Sequence, residues 1–346
     1  MEKKIRTGVI GLGKMGILHS ALINMMPQAE LVAVHDVNRK LSKYVTNSGM
    51  AVTFYPNLEQ MLDESGLDAV FVCTPPFTHL SLAKECIDRH LNVFVEKPLA
   101  ESLSSAKKMV SFLEGKDIIH ATGFTLAHIP LYRKAKDMLE KGILGKIYRF
   151  NISVYFSQVL SKKRGWFYDK KKSGGGVVID IASHLIYLVT WYFGLPQRVY
   201  GRTSNFFSDV EDSGSVLFEY TNGLSGVLDA NWSLPGYRLA TIEISLEGEK
   251  GFMEITNDYI KLKLHQTDDN YEQGWTTIHK IDLGNTSHFD LGSEGFYDED
   301  RHFIECCLER VKPDVTWEDG LDVQRIIEAI YLSSRDRCPI DMELIC

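Results

Sequence analysis

A patterned glycine loop between a strand and a helix constrains this chain more than any other feature. Gly11-Leu12-Gly13-Lys14-Met15-Gly16 directly follows the apolar run Arg6–Ile10 and opens an amphipathic stretch, Met15–Met26. Gly11 allows a tight turn, Gly13 lets a pyrophosphate approach the backbone, and Gly16 lets the helix pack closely on the strand. The helix N-terminus then turns its free N–H groups toward the phosphates. Lys14 and Met15 lie on the same loop and count with the glycines as candidate cofactor-binding residues. Asp36 stands twenty positions past Gly16, at the end of the next apolar run, Leu31–His35. A carboxylate there suits the adenosine ribose hydroxyls and repels a 2′-phosphate, which favours NAD over NADP. Arg39, three residues on, is placed either to meet such a phosphate or to stand solvated at a helix start, so NADP stays open.

The pattern around this loop predicts its fold. Apolar runs at Ala69–Cys73, Asn92–Val95 and Ile118–Gly123 alternate with helical stretches at Leu58–Ser65, Thr78–Asp88 and Leu103–Leu113. Runs that are apolar throughout suit strands buried on both faces, and strict alternation predicts a Rossmann-type, doubly wound parallel sheet. After Phe124 the pattern changes. A helix over Leu131–Lys141 precedes long alternating strands from Ile147 to about Ile281, with a hairpin at Thr221-Asn222-Gly223 and a turn at Gly248–Gly251. One helix, around Val177–Trp191, interrupts the strands, and two more close the chain near Glu299–Glu309 and Glu318–Ser333. The expectation is an α/β protein with a dinucleotide-binding domain over 1–124. A second α+β domain follows over 125–346, with a large, open-faced, mainly antiparallel sheet for substrate binding and oligomerisation. The strands Val216–Tyr220 and Leu224–Trp232 are read as apolar surface on that open face, which predicts a homodimer or homotetramer.

Composition excludes several classes. The chain has 346 residues and a formal net charge of -8, spread without a long acidic block, so a nucleic-acid partner is not expected. No apolar stretch is long enough to span a bilayer. Met1-Glu2-Lys3-Lys4 leads straight into a strand without the apolar core of a signal peptide. The six cysteines, Cys73, Cys86, Cys306, Cys307, Cys338 and Cys346, form neither a CxxC pair nor a metal-like spacing. Reduced thiols, a cytoplasmic location and no metal are therefore expected.

Two further motifs carry chemistry. Glu96-Lys97-Pro98 follows the strand at Asn92–Val95, at the carboxyl edge where open α/β sheets hold their ligands. A lysine there orients a hydroxyl and stabilises charge as its proton leaves, or is an ion-paired surface residue. Gly174-Gly175-Gly176 then leads to Asp180 and His184, four apart and on one face if helical. That pair is either a helix-stabilising contact or a general base tuned by a carboxylate. Between Ser157 and Ser173, Lys162, Lys163, Arg164, Lys170, Lys171 and Lys172 are interleaved with Trp166, Phe167 and Tyr168. Cations beside rings suit an anionic ligand with a stackable ring, such as a nucleotide-sugar, or form an exposed loop of no special role.

Taken in order, Gly11–Gly16 with His19, Thr74-Pro75 with His79, Glu96-Lys97-Pro98, and the triple glycine with Asp180 and His184 resemble the Gfo/Idh/MocA family of sugar and inositol dehydrogenases. The resemblance continues through Tyr297 and His302-Phe303-Ile304 to the closing helix near Asp319–Ser333. It implies an NAD(P)-dependent dehydrogenase acting on the CH–OH group of a sugar, cyclitol or nucleotide-sugar. It adds Thr74, Pro75, His79, Glu96 and Lys97 to the cofactor-binding residues, makes Lys97, Asp180 and His184 catalytic, and implies a cis bond before Pro98. Substrate contacts are expected from Lys97, His128, Trp166, Asp180 and His184.

Two departures fall near the expected pocket. The run Gly123-Phe124-Thr125-Leu126-Ala127-His128 lacks the arginines of many relatives, and Tyr187 stands where relatives often carry aspartate. Two other functions fit the same fold: a non-catalytic dinucleotide-binding regulator, or a reductase of a non-sugar substrate such as a linear tetrapyrrole or a dihydrodiol. Retention of Lys97, Asp180 and His184 together argues against both.

Overall fold

The computed structural model describes residues 3–47, 49, 51–162, 164–268, 270–284 and 295–345. Lys163 of the basic segment, Cys346 and Met1-Glu2 lie outside the described residues.

The elements run β1 (Ile5–Ile10), α1 (Lys14–Met25), β2 (Ala29–His35), α2 (Ser42–Asn47), β3 (Thr53–Tyr55), α3 (Leu58–Glu64), β4 (Ala69–Val72), α4 (His79–Asp88), β5 (Asn92–Val95), α5 (Leu103–Ser111) and β6 (His120–Thr122). There follow α6 (Pro130–Glu140), β7 (Ile147–Tyr155), α7 (Lys170–Ser173), α8 (Ala182–Phe193), β8 (Arg198–Ser204), β9 (Ser213–Glu219) and β10 (Ser225–Asn231). The chain closes with β11 (Thr241–Gly248), β12 (Gly251–Ile255), β13 (Tyr259–Leu264), β14 (Gly274–His279), α9 (Phe296–Glu309), α10 (Trp317–Asp336) and β15 (Ile340–Asp341).

The first six strands form a parallel sheet in the order β3-β2-β1-β4-β5-β6, with the switch point between β1 and β4. The strand at 53–55 escaped the sequence pattern because three partly exposed residues at a sheet edge carry no buried run. Alternate residues of the inner strands feed two cores. Ile10, Val70, Val72, Val93 and Val95 pack on one face, and Val9, Ala69, Phe71 and Phe94 on the other.

The chain separates into two compact units, and the division differs from 1–124 and 125–346 at its far end. The first unit takes the described residues of Met1–Thr125 and also those of Ser287–Leu321. The cause is packing. Phe303, Ile304, Cys306 and Cys307 of α9 complete the core that holds Phe71 and Phe94, while Trp317 and Leu321 join the opposite core.

The second unit, Leu126–Thr286 with Asp322–Cys346 among the described residues, is built on a nine-stranded sheet in the order β14-β13-β12-β11-β7-β10-β9-β8-β15. All its neighbours are antiparallel except β7 and β10. The expected hairpin joins β9 to β10, with Gly223 at φ +86°. The expected turn at Gly248–Gly251 joins β11 to β12.

Two expectations are corrected here. Val216, Phe218, Leu228, Ala230 and Trp232 are buried, and the other face of those strands presents Ser213, Ser215, Glu219, Asp229 and Asn231 with Leu217 and Val227. An apolar open face on these strands is therefore not the ground for a partner surface. The helix expected from Val177 starts at Ala182, because 177–181 form turns after the glycine run.

Candidate active site

The glycine loop is shaped as its sequence requires. Gly11 has φ +92°, and a Cβ there would lie 2.7 Å from the Thr74 side chain and 2.8 Å from the Cys73 carbonyl oxygen. A Cβ on Gly16 would stand 1.7 Å from the Gly11 carbonyl oxygen, so only glycine lets α1 meet the loop. Around Gly13 a Cβ would meet nothing within 4 Å. The two outer glycines are required by the fold, and the middle one leaves an open approach at the start of α1, as a dinucleotide phosphate requires. Lys14 is exposed beside it and Met15 half-buried.

Asp36 stands at the end of β2, against the glycine loop. Its Oδ2 accepts the Leu12 N–H at 2.7 Å, and its Oδ1 accepts the Asn38 N–H at 2.7 Å. The carboxylate is thus fixed between the end of β2 and the glycine loop, with each oxygen keeping a second lone pair for a ribose hydroxyl. Arg39 is exposed and starts a short 3-10 turn, Arg39–Leu41.

His79 is buried and serves the loop rather than a ligand. Its Nε2 lies 2.8 Å from the Thr74 carbonyl oxygen and its Nδ1 3.2 Å from that of Leu99. Burial lowers its pKa, although hydrogen bonding to those carbonyls opposes the shift. The ring thereby pins Thr74-Pro75 after β4 to the segment after Glu96-Lys97-Pro98. The Lys97–Pro98 bond is cis.

Glu96 faces inward. Its Oε2 accepts the Lys97 N–H at 3.0 Å, and its Oε1 lies 2.9 Å from His19 Nε2. The other ring nitrogen, Nδ1, lies 2.7 and 2.9 Å from the two Asp300 oxygens. Burial works against a charged ring, but the Asp300 carboxylate, with hydrogen bonds to Asp300 and Glu96, holds the His19 pKa well above its usual value. Next to this triad Glu299 is buried, and the Thr125 hydroxyl donates to its Oε2 at 3.3 Å. Burial first, then the Glu96 and Asp300 carboxylates, push the Glu299 pKa well above the carboxylate range. The sequence marked His19 only as part of the glycine motif. Its partner Asp300 is 281 positions away, a separation that no local pattern reveals.

In the second unit one buried carboxylate organises the glycine run. Glu211 Oε1 accepts the N–H of Gly176 at 2.8 Å, the N–H of Val178 at 3.1 Å and the Tyr331 hydroxyl at 2.8 Å. Burial raises the Glu211 pKa, and these three donors oppose the rise. There is no room for side chains on the run: a Cβ on Gly176 would lie 2.0 Å from the Glu211 carbonyl oxygen, and one on Gly175 1.9 Å from the Tyr331 hydroxyl oxygen. From this anchor the chain turns, with Asp180 N–H donating to Gly176 O at 3.0 Å and Ala182 N–H to Val177 O at 2.9 Å. Asp180 therefore sits in the turn before α8, not on it, while His184 lies in the first turn of α8. Both are half-buried.

Neighbouring residues complete the picture. Burial raises the Tyr168 pKa and the nearby Asp180 and Asp212 carboxylates add to it, with a hydrogen bond to Gln158 opposing. Tyr168 thus lies within electrostatic reach of Asp180, whereas in the sequence it stood out only as part of the basic segment. Trp166 is exposed, and Lys170 lies over the Tyr331 ring at 5.1 Å. Lys162, Arg164, Lys171 and Lys172 are exposed. His128 is buried, with its Nδ1 3.5 Å from an Arg133 guanidinium nitrogen, so an arginine from α6 stands close to the run that lacks its own. Tyr187 is buried and stacks on Trp191 at 6.0 Å. Among the described residues, no group of three or more His, Cys, Asp or Glu side chains stands ready to hold a metal. None of their helices is long and apolar enough to cross a membrane.

Comparison with known proteins agrees with this geometry. Residues 5–124 match the model of an oxidoreductase family with an NAD-binding Rossmann fold, and 132–254 match that of the GFO/IDH/MocA C-terminal domain. The chain is 24% identical to a myo-inositol 2-dehydrogenase of Thermotoga maritima, covering 91% of this chain and 92% of that protein. Among solved structures it is similar to a levoglucosan dehydrogenase in complex with NADH and levoglucosan (TM-score 0.88, 21% identity, 98% and 100% coverage). It is also similar to the WlbA dehydrogenase from Bordetella pertussis in complex with NADH and UDP-GlcNAcA (TM-score 0.86, 22% identity, 99% and 98% coverage). The fitted glycine loop, the fixed Asp36 and the two matched models make this chain a member of the GFO/IDH/MocA family of NAD-binding oxidoreductases.

Proposed function

We propose that the protein is a dehydrogenase interconverting a secondary hydroxyl and a ketone on an anionic sugar, with a nucleotide-sugar favoured over a neutral sugar or cyclitol. The observation that carries this reading is the anchored turn. A buried glutamate and two glycines without room for a side chain fix the backbone that presents Asp180 and His184. Such a rigid support suits residues that must be placed to within a fraction of an ångström for proton transfer. The basic segment with Trp166 and Tyr168 enters that same turn, and cations beside aromatic rings fit a phosphate and a base.

In this reading His184 takes the hydroxyl proton, and Lys97 orients the hydroxyl and stabilises the oxygen as its charge grows. Asp180 stabilises the protonated histidine and hydrogen-bonds the sugar. A nicotinamide held by Gly11–Gly16 and Asp36 would supply the hydride acceptor, so that the C–H bond of the same carbon and the O–H bond would both break as the carbonyl forms. Asp36 favours NAD through its ribose contacts.

The experiment is a panel of neutral sugars, cyclitols, sugar phosphates and nucleotide-sugars, each incubated with NAD and followed by absorbance of NADH. Turnover with nucleotide-sugars or sugar phosphates supports the reading. Turnover confined to neutral cyclitols or sugars returns the basic segment to an exposed loop, and no turnover on any member favours the regulator.

A further inference from the structure

The buried acid cluster of the first unit is larger than a fold needs. Glu96, His19, Asp300 and Glu299 are all buried, with the half-buried Cys73 at their edge. Buried ionised groups are costly, and apolar residues of the same volume usually stabilise as well or better. Glu299 Oε1 is buried without a hydrogen-bond partner, a further cost that packing does not repay.

The position of the cluster is informative. Cys73 follows β4, Glu96 follows β5 and Thr125 lies just past β6, so the cluster gathers at three consecutive carboxyl ends of the parallel sheet. A dinucleotide crosses such a sheet at its switch point, one mononucleotide over each half. Asp36, after β2, marks the adenosine half. The cluster therefore belongs to the half that receives the nicotinamide.

Its charge follows from geometry. Both nitrogens of His19 face carboxylate oxygens within 2.9 Å. A neutral imidazole has one N–H and would leave one such contact repulsive, whereas an imidazolium donates to both. Two carboxylates and one imidazolium sum to one negative charge. Burial, with the Glu96 and Asp300 carboxylates beside it, pushes the Glu299 pKa up and so favours its neutral form over a further negative charge.

We propose that the Glu96–His19–Asp300 triad is an electrostatic counterweight, whose single net negative charge favours the cationic oxidised nicotinamide over the neutral reduced ring. The triad offsets the repulsion between that cationic ring and the lysine side chain supplied by the residue after Glu96. The inference rests on the dinucleotide site, not on the identity of the substrate or on the catalytic roles of Asp180 and His184.

The test is binding, not turnover. Dissociation constants for NAD+ and NADH are measured separately, by calorimetry and by fluorescence, on the full chain and on Glu96→Gln, Asp300→Asn and Glu299→Gln. Glu96→Gln leaves the imidazolium paired with Asp300 alone and removes the net charge, so Kd(NAD+)/Kd(NADH) rises on the order of tenfold, the effect of one unit charge in a partly buried site. Asp300→Asn instead takes away the carboxylate that holds the His19 proton and leaves Glu96 as the single negative charge, so its ratio stays near wild type. Glu299→Gln replaces a neutral acid by a neutral amide, so the ratio stays within about threefold of wild type. An unchanged ratio in a Glu96→Gln protein that melts close to wild type overturns the proposal. If Glu96→Gln does not fold, the wild-type protein decides: NADH preferred by more than about fivefold contradicts the counterweight, and a smaller preference or none supports it. Absence of binding by either form of the cofactor would overturn the dinucleotide site and this inference with it.

Discussion

The carboxylate of Asp36 accepts the backbone N–H of Leu12 at 2.7 Å, tying the end of the second strand to the glycine loop that follows the first. A side chain held this way has a fixed orientation before any ligand arrives, so ribose contacts made by it would cost little ordering entropy. Asp36→Ala should weaken NAD by about tenfold or more and bring NAD and NADP affinities closer together. Leu12 and Asn38 would also lose their acceptor, at a stability cost of about 1–3 kcal/mol. Titration of both cofactors with thermal melts checks the two effects. A wild-type preference for NADP would show that Arg39 outweighs Asp36.

The glycines of the loop should separate by role. Gly16→Ala drives a methyl group into the Gly11 carbonyl and should cost about 1–3 kcal/mol or more. Gly13→Ala meets no protein atom within 4 Å and should melt like wild type while NAD affinity falls. Melting curves and NAD titration of the pair check this. Equal destabilisation by both would mean that the space at Gly13 belongs to the fold rather than to a ligand.

Glu299 should leave a signature in the pH dependence of stability. Its folded pKa lies well above the ordinary glutamate value of 4.5, so the native state binds more protons than the unfolded one. Its stabilising contribution is full below about pH 4.5 and is lost as pH rises through the folded pKa, at up to about 1.4 kcal/mol per pH unit for one proton. His19, raised well above 6.5, acts in the same direction at higher pH. Glu299→Gln has no such proton to lose. The melting temperature of wild type should fall relative to that of Glu299→Gln between pH 5 and 9, as followed by circular dichroism. Parallel curves would mean that Glu299 is ionised when folded.

Much of this was legible in the sequence, for physical reasons that also mark the limits. The doubly wound sheet could be read because buried parallel strands are apolar throughout and because the glycine loop has few alternative uses. The second sheet could be read from alternation. Its faces were misread on β9 and β10 because the reading counted apolar residues along a strand, whereas burial follows every second position, as in the pair Val216 and Leu217. The helical spacing of Phe303 and Cys307 announced a helix but not its target, since a hydrophobic stripe does not name the core it covers. The spacing of Asp180 and His184 suggested one helix face, yet the glycine run and Glu211 hold residues 177–181 in turns. Contacts such as His19 with Asp300 depend on the finished fold and have no sequence period at all.

The basic segment offers a fourth prediction. If Lys162, Lys163, Arg164 and Lys170–Lys172 hold an anionic substrate, replacing them with glutamine should raise KM by on the order of tenfold or more. The salt dependence of KM should weaken at the same time. Steady-state kinetics at low and high salt reads both, and an unchanged KM would return the segment to an exposed loop.

The central claim is that Lys97 and His184 carry the proton chemistry while Gly11–Gly16 and Asp36 hold the cofactor. The most direct test is steady-state kinetics of His184→Ala and Lys97→Ala on the substrate found by the panel, with NAD affinity measured separately on each variant. Turnover should fall by roughly a hundredfold to ten-thousandfold in His184→Ala, and at least as far in Lys97→Ala, because that change removes both positioning and charge stabilisation. NAD affinity should stay within about threefold of wild type in His184→Ala, which touches neither the glycine loop nor Asp36, and Lys97→Ala, which removes a cation from beside the oxidised ring, should not weaken it. Near-normal turnover in His184→Ala would contradict the account and leave Asp180 and His184 as structural residues of the turn and helix that the glycine run supports.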